Sequence, residues 1–242
     1  MRRTCLGLLA ACAVMLASTG SAGAAPLSYT FDSDNQGWTQ NQDQSSNDFV
    51  SAGFEPTDGN PGGHLSAVDT GSDSGCPHSD PCNSLTFYSP FLPAHFGANY
   101  GGMASFDIRS SSSPGYAAEM LLYTNGPNYL DGIVPEDLGT DWHHLSIALN
   151  ETAKWLVCSY TGGDCSTPSQ AQFKDLLAAS DRVAVMADVG PNESSMDTYE
   201  LDNVSLTDPP QPQKKCKKKK HKRAGAAKKK KCKKKRRAKV RG

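Results

Sequence analysis

Tyr100-Gly101-Gly102-Met103-Ala104-Ser105-Phe106-Asp107-Ile108-Arg109 opens on a glycine turn and then alternates, with Ala104, Phe106 and Ile108 set against Ser105, Asp107 and Arg109. A period of two places the apolar set on one face of a pleated strand and the polar set on the other, as expected of a sheet with one side on a core. Stretches of the same kind recur at 27–31, 48–54, 65–69, 84–89, 118–124, 129–134, 142–149, 182–187 and 199–206. Between them stand runs such as Gly59-Asn60-Pro61-Gly62-Gly63 and Asn125-Gly126-Pro127-Asn128, which are rich in the residues that reverse a chain. Short strands at this spacing predict an all-β sandwich. One segment departs from the rhythm. Thr167-Pro168-Ser169-Gln170 reads as an N-cap followed by a first-turn proline, and Phe173, Leu176 and Leu177 follow at helical spacing. It predicts one short helix over 168–179, closing an end or a side of the sandwich.

Several segments, in chain order, resemble the laminin IV type A (laminin B) domain of secreted bacterial proteins. They are Phe31-Asp32 with Gly37-Trp38, Gly62-Gly63-His64-Leu65 with Asp69, Tyr88-Ser89-Pro90 with Phe96-Gly97, and the Tyr100 to Arg109 block. Trp142 and Trp155 follow, then Phe173 to Leu177 with Val183 to Asp188, and Leu201-Asp202-Asn203-Val204. The resemblance implies a jelly-roll-like β-sandwich, related in shape to galactose-binding and carbohydrate-binding modules, and it implies no catalytic residues. The chain departs from laminins in having no flanking EGF-like repeats.

Residues 1–24 read as a secretory signal: Arg2 and Arg3, an apolar stretch from Cys5 to Ala17, and Ala22-Gly23-Ala24 as the cleavage pattern. Leu9-Ala10-Ala11-Cys12 also fits a lipoprotein cleavage box, but the apolar run before it is short and continues past it. Residues 25–208 are expected to form the sandwich domain and 209–213, Pro-Pro-Gln-Pro-Gln, a stiff linker. Residues 214–242 make a lysine-rich tail that cannot bury a core and is expected to be disordered. No later segment reaches the roughly 20 apolar residues of a membrane span.

A formal net charge of zero conceals two opposite regions. All 25 acidic residues lie between Asp32 and Asp208, where the only basic ones are Arg109, Lys154, Lys174 and Arg182, a net of −21. From Lys214 onward there are 19 basic residues and no acid. The blocks Lys217, Lys218, Lys219, Lys220 and Lys228, Lys229, Lys230, Lys231 carry no interleaved aromatic and no helical apolar face. They therefore offer neither base stacking nor membrane insertion, only salt-dependent attraction to a polyanion. The expected partner of the tail is an anionic cell-surface or matrix polymer, with no sequence-specific reading of nucleic acid. Folding back onto the acidic body is the competing expectation.

Without the signal, six cysteines remain in local pairs: Cys76 with Cys82, Cys158 with Cys165, and Cys216 with Cys232. Export and loop-closure entropy predict disulfides Cys76–Cys82 and Cys158–Cys165, each stapling a surface loop. A zinc site is the alternative, but neither spacing is C-x-x-C and only His78 lies near.

Enzymatic signatures are absent: the chain contains no G-x-S-x-G, no H-E-x-x-H and no P-loop. His143 and His144 are adjacent in an expected strand and so face opposite ways, which argues against shared metal binding. Asp32-Ser33-Asp34-Asn35-Gln36-Gly37 offers alternating oxygen ligands for calcium, or else a solvated turn. The resemblance adds that related jelly rolls join first and last strands through a structural Ca2+, for which Asp32, Asp34 and Asp202 are the candidate ligands here. Trp38, Trp142 and Trp155 are expected in the core beside Phe31, Leu145 and Leu156. Tyr88, Tyr100, Tyr116 and Tyr129 are freer but irregularly spaced, so no sugar site is assigned. The resulting expectation is a secreted, non-catalytic binding or adhesion module, with a glycan as the ligand class for its body. A polysaccharide hydrolase and a purely structural surface protein are the competing classes.

Overall fold

A computed structural model describes residues 26–41, 48–69, 85–92, 96–111, 117–134, 138–160, 164–189 and 197–210. Contacts divide the chain into Met1–Gln211 and Pro212–Gly242, and all the described residues lie in the first unit. The signal, Tyr116, Cys76, Cys82, Cys216, Cys232 and every tail lysine lie outside the described residues.

Thirteen strands run in the order β1 (Leu27–Tyr29), β2 (Thr39–Asn41), β3 (Val50–Ser51), β4 (Gly53–Gly59), β5 (Gly62–Val68), β6 (Thr86–Tyr88), β7 (Met103–Ser110), β8 (Ala117–Thr124), β9 (Asn128–Val134), β10 (His143–Ala148), β11 (Trp155–Ser159), β12 (Ser180–Val189) and β13 (Thr198–Thr207). A six-stranded sheet has the order β10-β7-β13-β5-β4, with β1 also on β13. A seven-stranded sheet has the order β11-β9-β8-β12-β6-β2-β3. All the pairings are antiparallel. The expected β-sandwich is therefore present. β13 holds two partners on one edge, β5 along Thr198–Leu201 and β1 along Val204–Leu206, and its register with β7 on the other edge shifts between Asp202 and Ser205.

The alternation read from the sequence sets the core. Ala104, Phe106 and Ile108 of β7 and Leu201, Val204 and Leu206 of β13 are buried in one cluster with Met120 and Leu122 of β8 and Val183 and Val185 of β12. Trp38 and Trp155 lie there too, at 0% and 1% exposure. Gly132 is required where β9 passes beneath Trp155, since a Cβ there would stand 2.7 Å from the indole. Trp142 does not join the core. It is half-buried, with its indole donating to Asp58 O at 3.1 Å and Arg109 stacked 4.8 Å from its ring. It shares the parity of His144, not that of the core residue Leu145, so the alternation turns it outward.

The stretch expected as one strand at 48–54 is two, β3 in the seven-stranded sheet and β4 in the six-stranded one. The chain crosses between the sheets at buried Ala52, whose N–H donates to Trp38 O and whose carbonyl accepts from Asn35. The helix α1 spans Gln170–Ala179, two residues later than expected, with Ser169 as N-cap. Thr167 and Ser169 each precede a glutamine by three, but the reciprocal capping box forms at Ser169 with Gln172. α1 buries Phe173 and Leu177 and leads directly into β12. Phe173 meets Trp155 edge-on at 5.8 Å.

Candidate functional site

The seven-stranded sheet is apolar on both faces. On β8, Ala118, Met120 and Leu122 enter the core, while Glu119, Leu121 and Tyr123 alternate to the far side. Tyr88, Leu121, Ala184 and Met186 form a second apolar cluster with Tyr123 and Tyr129 against it. This second cluster is the floor of an outward surface.

Four tyrosines pave it. Tyr123 and Tyr160 stack at 5.6 Å with planes 9° apart, Tyr129 stacks on Tyr160 at 5.0 Å, and Tyr88 lies 5.7 Å from Tyr123. Phe49 meets Tyr88 edge-on at 5.1 Å. Tyr88 is the buried base at 5% exposure, whereas Tyr160 is 45%, Phe49 41% and Phe91 68% exposed. The surface therefore rises from a covered floor to open rings. Burial raises the phenols of Tyr88, Tyr123 and Tyr160 above their usual range, so all three are neutral hydroxyls.

Arg182, opposite Tyr123 across β12 and β8, sits among these rings. Its guanidinium carbon lies 4.9 Å from Phe49, 4.6 Å from Tyr88 and 4.8 Å from Phe91. Its Nε donates to Ser89 O at 2.9 Å and its Nη2 to Thr39 Oγ1 at 3.3 Å.

At the other side of the face, Glu119 and Asp131 share a hydrogen bond. Burial raises Glu119 to about 8, helped by the Asp131 charge, and raises Asp131 to about 6. The pair thus keeps a proton near neutral pH. Retaining glycosidases hold their carboxyls about 5 Å apart and inverting ones further, to admit a bond or a water.

The disulfide Cys158–Cys165 is present, with an S–S distance of 2.05 Å. It closes the loop that carries Tyr160, and Val157 and Ser166 bridge the loop's base. The Cys158 sulfur lies 3.9 Å from Asp131 Oδ2, a contact without a proton because both sulfurs are bonded. The staple therefore positions one ring of the aromatic face.

Of the residues expected to bind calcium, Asp202 is on β13 of the opposite sheet and Asp32 and Asp34 lie in the connection between β1 and β2. Asp202 is fully buried, accepting from Asn60 N and Asn203 N at 2.7 Å each. Burial raises its carboxyl, and the charges of Asp107 and Asp32 push the same way. Asp34 is taken up locally, accepting from Gln36 N at 2.9 Å, and Asp32 accepts from Thr30 at 2.8 Å. Among the described residues no group of three or more His, Cys, Asp or Glu side chains is arranged to hold a metal ion. His143 and His144 do face apart: His143 Nε2 accepts from Gly139 N at 3.1 Å, and His144 Nδ1 lies 2.5 Å from Asp107 Oδ1.

Tyr88 and Tyr129, singled out in the sequence, thus meet on one face, while Tyr100 lies apart against Phe173 beneath Lys174. Tyr123, Tyr160, Phe49, Phe91, Arg182, Glu119 and Asp131 were not legible as a site. The available signal was the apolar character of both parities in β8 and β12.

Among the described residues, two antiparallel sheets with one flanking helix define a β-sandwich. The solved L4b domain of human laminin alpha-2 is similar at 12% identity and a TM-score of 0.50, covering 76% of this chain and 98% of that one. Also similar is the family 11 carbohydrate-binding module of the cellulosomal cellulase Lic26A-Cel5E of Clostridium thermocellum, at 14% identity, 79% and 91% coverage and a TM-score of 0.44. An exo-β-agarase matches at 12% identity over 79% of this chain and 26% of its own, with a TM-score of 0.44. No protein-family model and no curated protein sequence matches the chain. Among the described residues no helix is long and apolar enough to cross a membrane.

Proposed function

We propose that this is a secreted, non-catalytic binding module that takes a glycan on the outer face of its seven-stranded sheet. The observation that carries this reading is the contiguous aromatic surface of Tyr88, Tyr123, Tyr129 and Tyr160, with Phe49 and Phe91 left open beside it. Exposed apolar area of this kind is costly in water unless a partner covers it. Flat rings match the C–H faces of pyranoses, and Arg182, Glu119 and the tyrosine hydroxyls supply hydrogen bonds at the margins. Calorimetry of the intact protein against a panel of soluble polysaccharides, repeated with Tyr160→Ala, tests it. Tyr160→Ala is expected to weaken binding by about 1 kcal/mol or more. Unchanged affinity would remove the face from consideration, and release of reducing ends during the titration would favour the hydrolase.

In this reading the signal at 1–24 exports the chain and the polybasic residues 214–242 hold it at an anionic surface. Attachment to anionic vesicles should fall steeply between about 0.05 and 0.5 M salt, and insensitivity to salt would sink the tail as an anchor. A structural Ca2+ near Asp32 and Asp202 is a further part of the proposal. Its support is the sequence pattern of Asp32 and Asp34 together with the buried Asp202 carboxyl, which burial raises first and the charges of Asp107 and Asp32 raise further.

A further inference from the structure

We infer that the glycan taken by this face is acidic, with a uronic acid carboxylate seated on Arg182. This rests on the glycan-binding reading above and narrows it to one ligand class. The domain has 25 acidic residues against four basic ones, so a guanidinium has many acidic side chains it could pair with. Arg109, on the other sheet, has two such neighbours, Glu200 and Asp58. Arg182 has none within ion-pair distance among the described residues. Both of its hydrogen bonds go to neutral oxygens; the Asp181 charge acts on it from the next residue, but that carboxylate makes its hydrogen bond with Asn125, at 2.6 Å, and not with the guanidinium. A half-buried guanidinium between three aromatic rings has lost much of its hydration, and burial lowers its affinity for the proton. That arrangement is unfavourable in the free protein and becomes favourable when an anion arrives.

The geometry selects a carboxylate. Arginine presents five N–H donors in a planar fork, and the bonds to Ser89 and Thr39 occupy two of them. The remaining donors suit a planar, bidentate acceptor, which carboxylates supply and hydroxyls do not. Phe49, Tyr88 and Phe91 hold the guanidinium by cation–π contact without competing for those donors. Glu119 and Asp131, an acidic pair on the same face, keep a proton between them near neutral pH, which limits their repulsion of an anionic chain, and the Asp181 charge is offset by Arg182 beside it.

The test uses the full chain and hexamers of galacturonic, mannuronic and glucuronic acid. Each hexamer is paired with the same oligosaccharide after reduction of its carboxyls to alcohols. Calorimetry in about 0.5 M salt screens the charges of the lysine-rich tail while affecting a partly buried contact less. At least one uronate is expected to bind at least tenfold more tightly than its reduced form. Arg182→Gln should abolish that preference, as expected for a charge-assisted bond whose loss weakens binding by about ten- to a hundredfold. If Arg182→Gln does not fold by circular dichroism, the comparison of acid with reduced ligand on the unaltered chain decides alone. Equal binding of acid and reduced forms, sensitive to Tyr160→Ala, overturns the acidic-ligand inference and leaves the glycan reading standing. If uronates, reduced oligosaccharides and neutral cello-oligosaccharides all fail to bind, both fall.

Discussion

Replacing Glu119 with glutamine should flatten the dependence of stability on pH. In the folded protein Glu119 is held up to about 8, from an ordinary value of 4.5, by burial and by Asp131. The unfolded chain therefore gives up a proton that the folded chain keeps. A raised carboxyl contributes its stability in full below about pH 4.5 and loses it progressively up to about pH 8. One proton of difference is worth about 1.4 kcal/mol per pH unit, so by pH 7 the ceiling is about 3.5 kcal/mol. The pair lies near the surface and titrates jointly, so screening brings the expected loss to about 2 kcal/mol. For a domain of this size that is a fall in Tm of about 4–8 °C between pH 4.5 and 7. Glutamine keeps the hydrogen bond to Asp131 but cannot ionise. Asp202 is also raised by burial and falls in the same direction, but it is common to both proteins. Thermal melts of both at half-unit steps from pH 4.5 to 8.5, at fixed salt, isolate the pair. The variant should lose ground at the acid end and become the more stable protein near pH 8. Parallel curves across the range would show that the carboxyls do not share a proton in the folded state.

The double change Cys158→Ser, Cys165→Ser should destabilise the domain by about 2 kcal/mol in melts and weaken glycan binding as well, because the loop carrying Tyr160 loses its staple. An unchanged melting point would show that the bond does not form in the folded protein. Calcium at about one hundred times its Kd should stabilise the domain by about 2.7 kcal/mol relative to chelator, and Asp202→Ala should erase the difference. Equal midpoints in the unaltered protein remove the site. Gly132→Ala places a methyl 2.7 Å from the Trp155 ring and should cost about 1–3 kcal/mol in denaturant unfolding, with the m-value unchanged. A neutral result would mean that Trp155 has room to move.

The alternation of Met103 to Ser110 was enough to place Phe106 and Ile108 in the core and Asp107 and Arg109 on the other face, although not to show that Asp107 is buried there among Asn60, His144 and Asn203, because a strand's faces are set by a period of two wherever it stands. The Cys158–Cys165 staple was equally local, since a short loop closes on its nearest partner. Elsewhere local pattern misled. The apolar neighbours of Trp142 point it to the core, yet its parity turns it onto Arg109 and Asp58. The run at 48–54 looks like one strand but feeds two sheets, because the break at Ala52 is made by hydrogen bonds from Trp38 and Asn35. The aromatic face was beyond reach for a related reason. Tyr88, Tyr123, Tyr129, Tyr160 and Arg182 belong to β6, β8, β9, the turn after β11, and β12, which become neighbours only in the order β11-β9-β8-β12-β6. Period-two patterning tells each strand which side is out, but which outward side chains then meet, tyrosine on tyrosine or Glu119 on Asp131, is decided by the lateral order of strands distant in the chain.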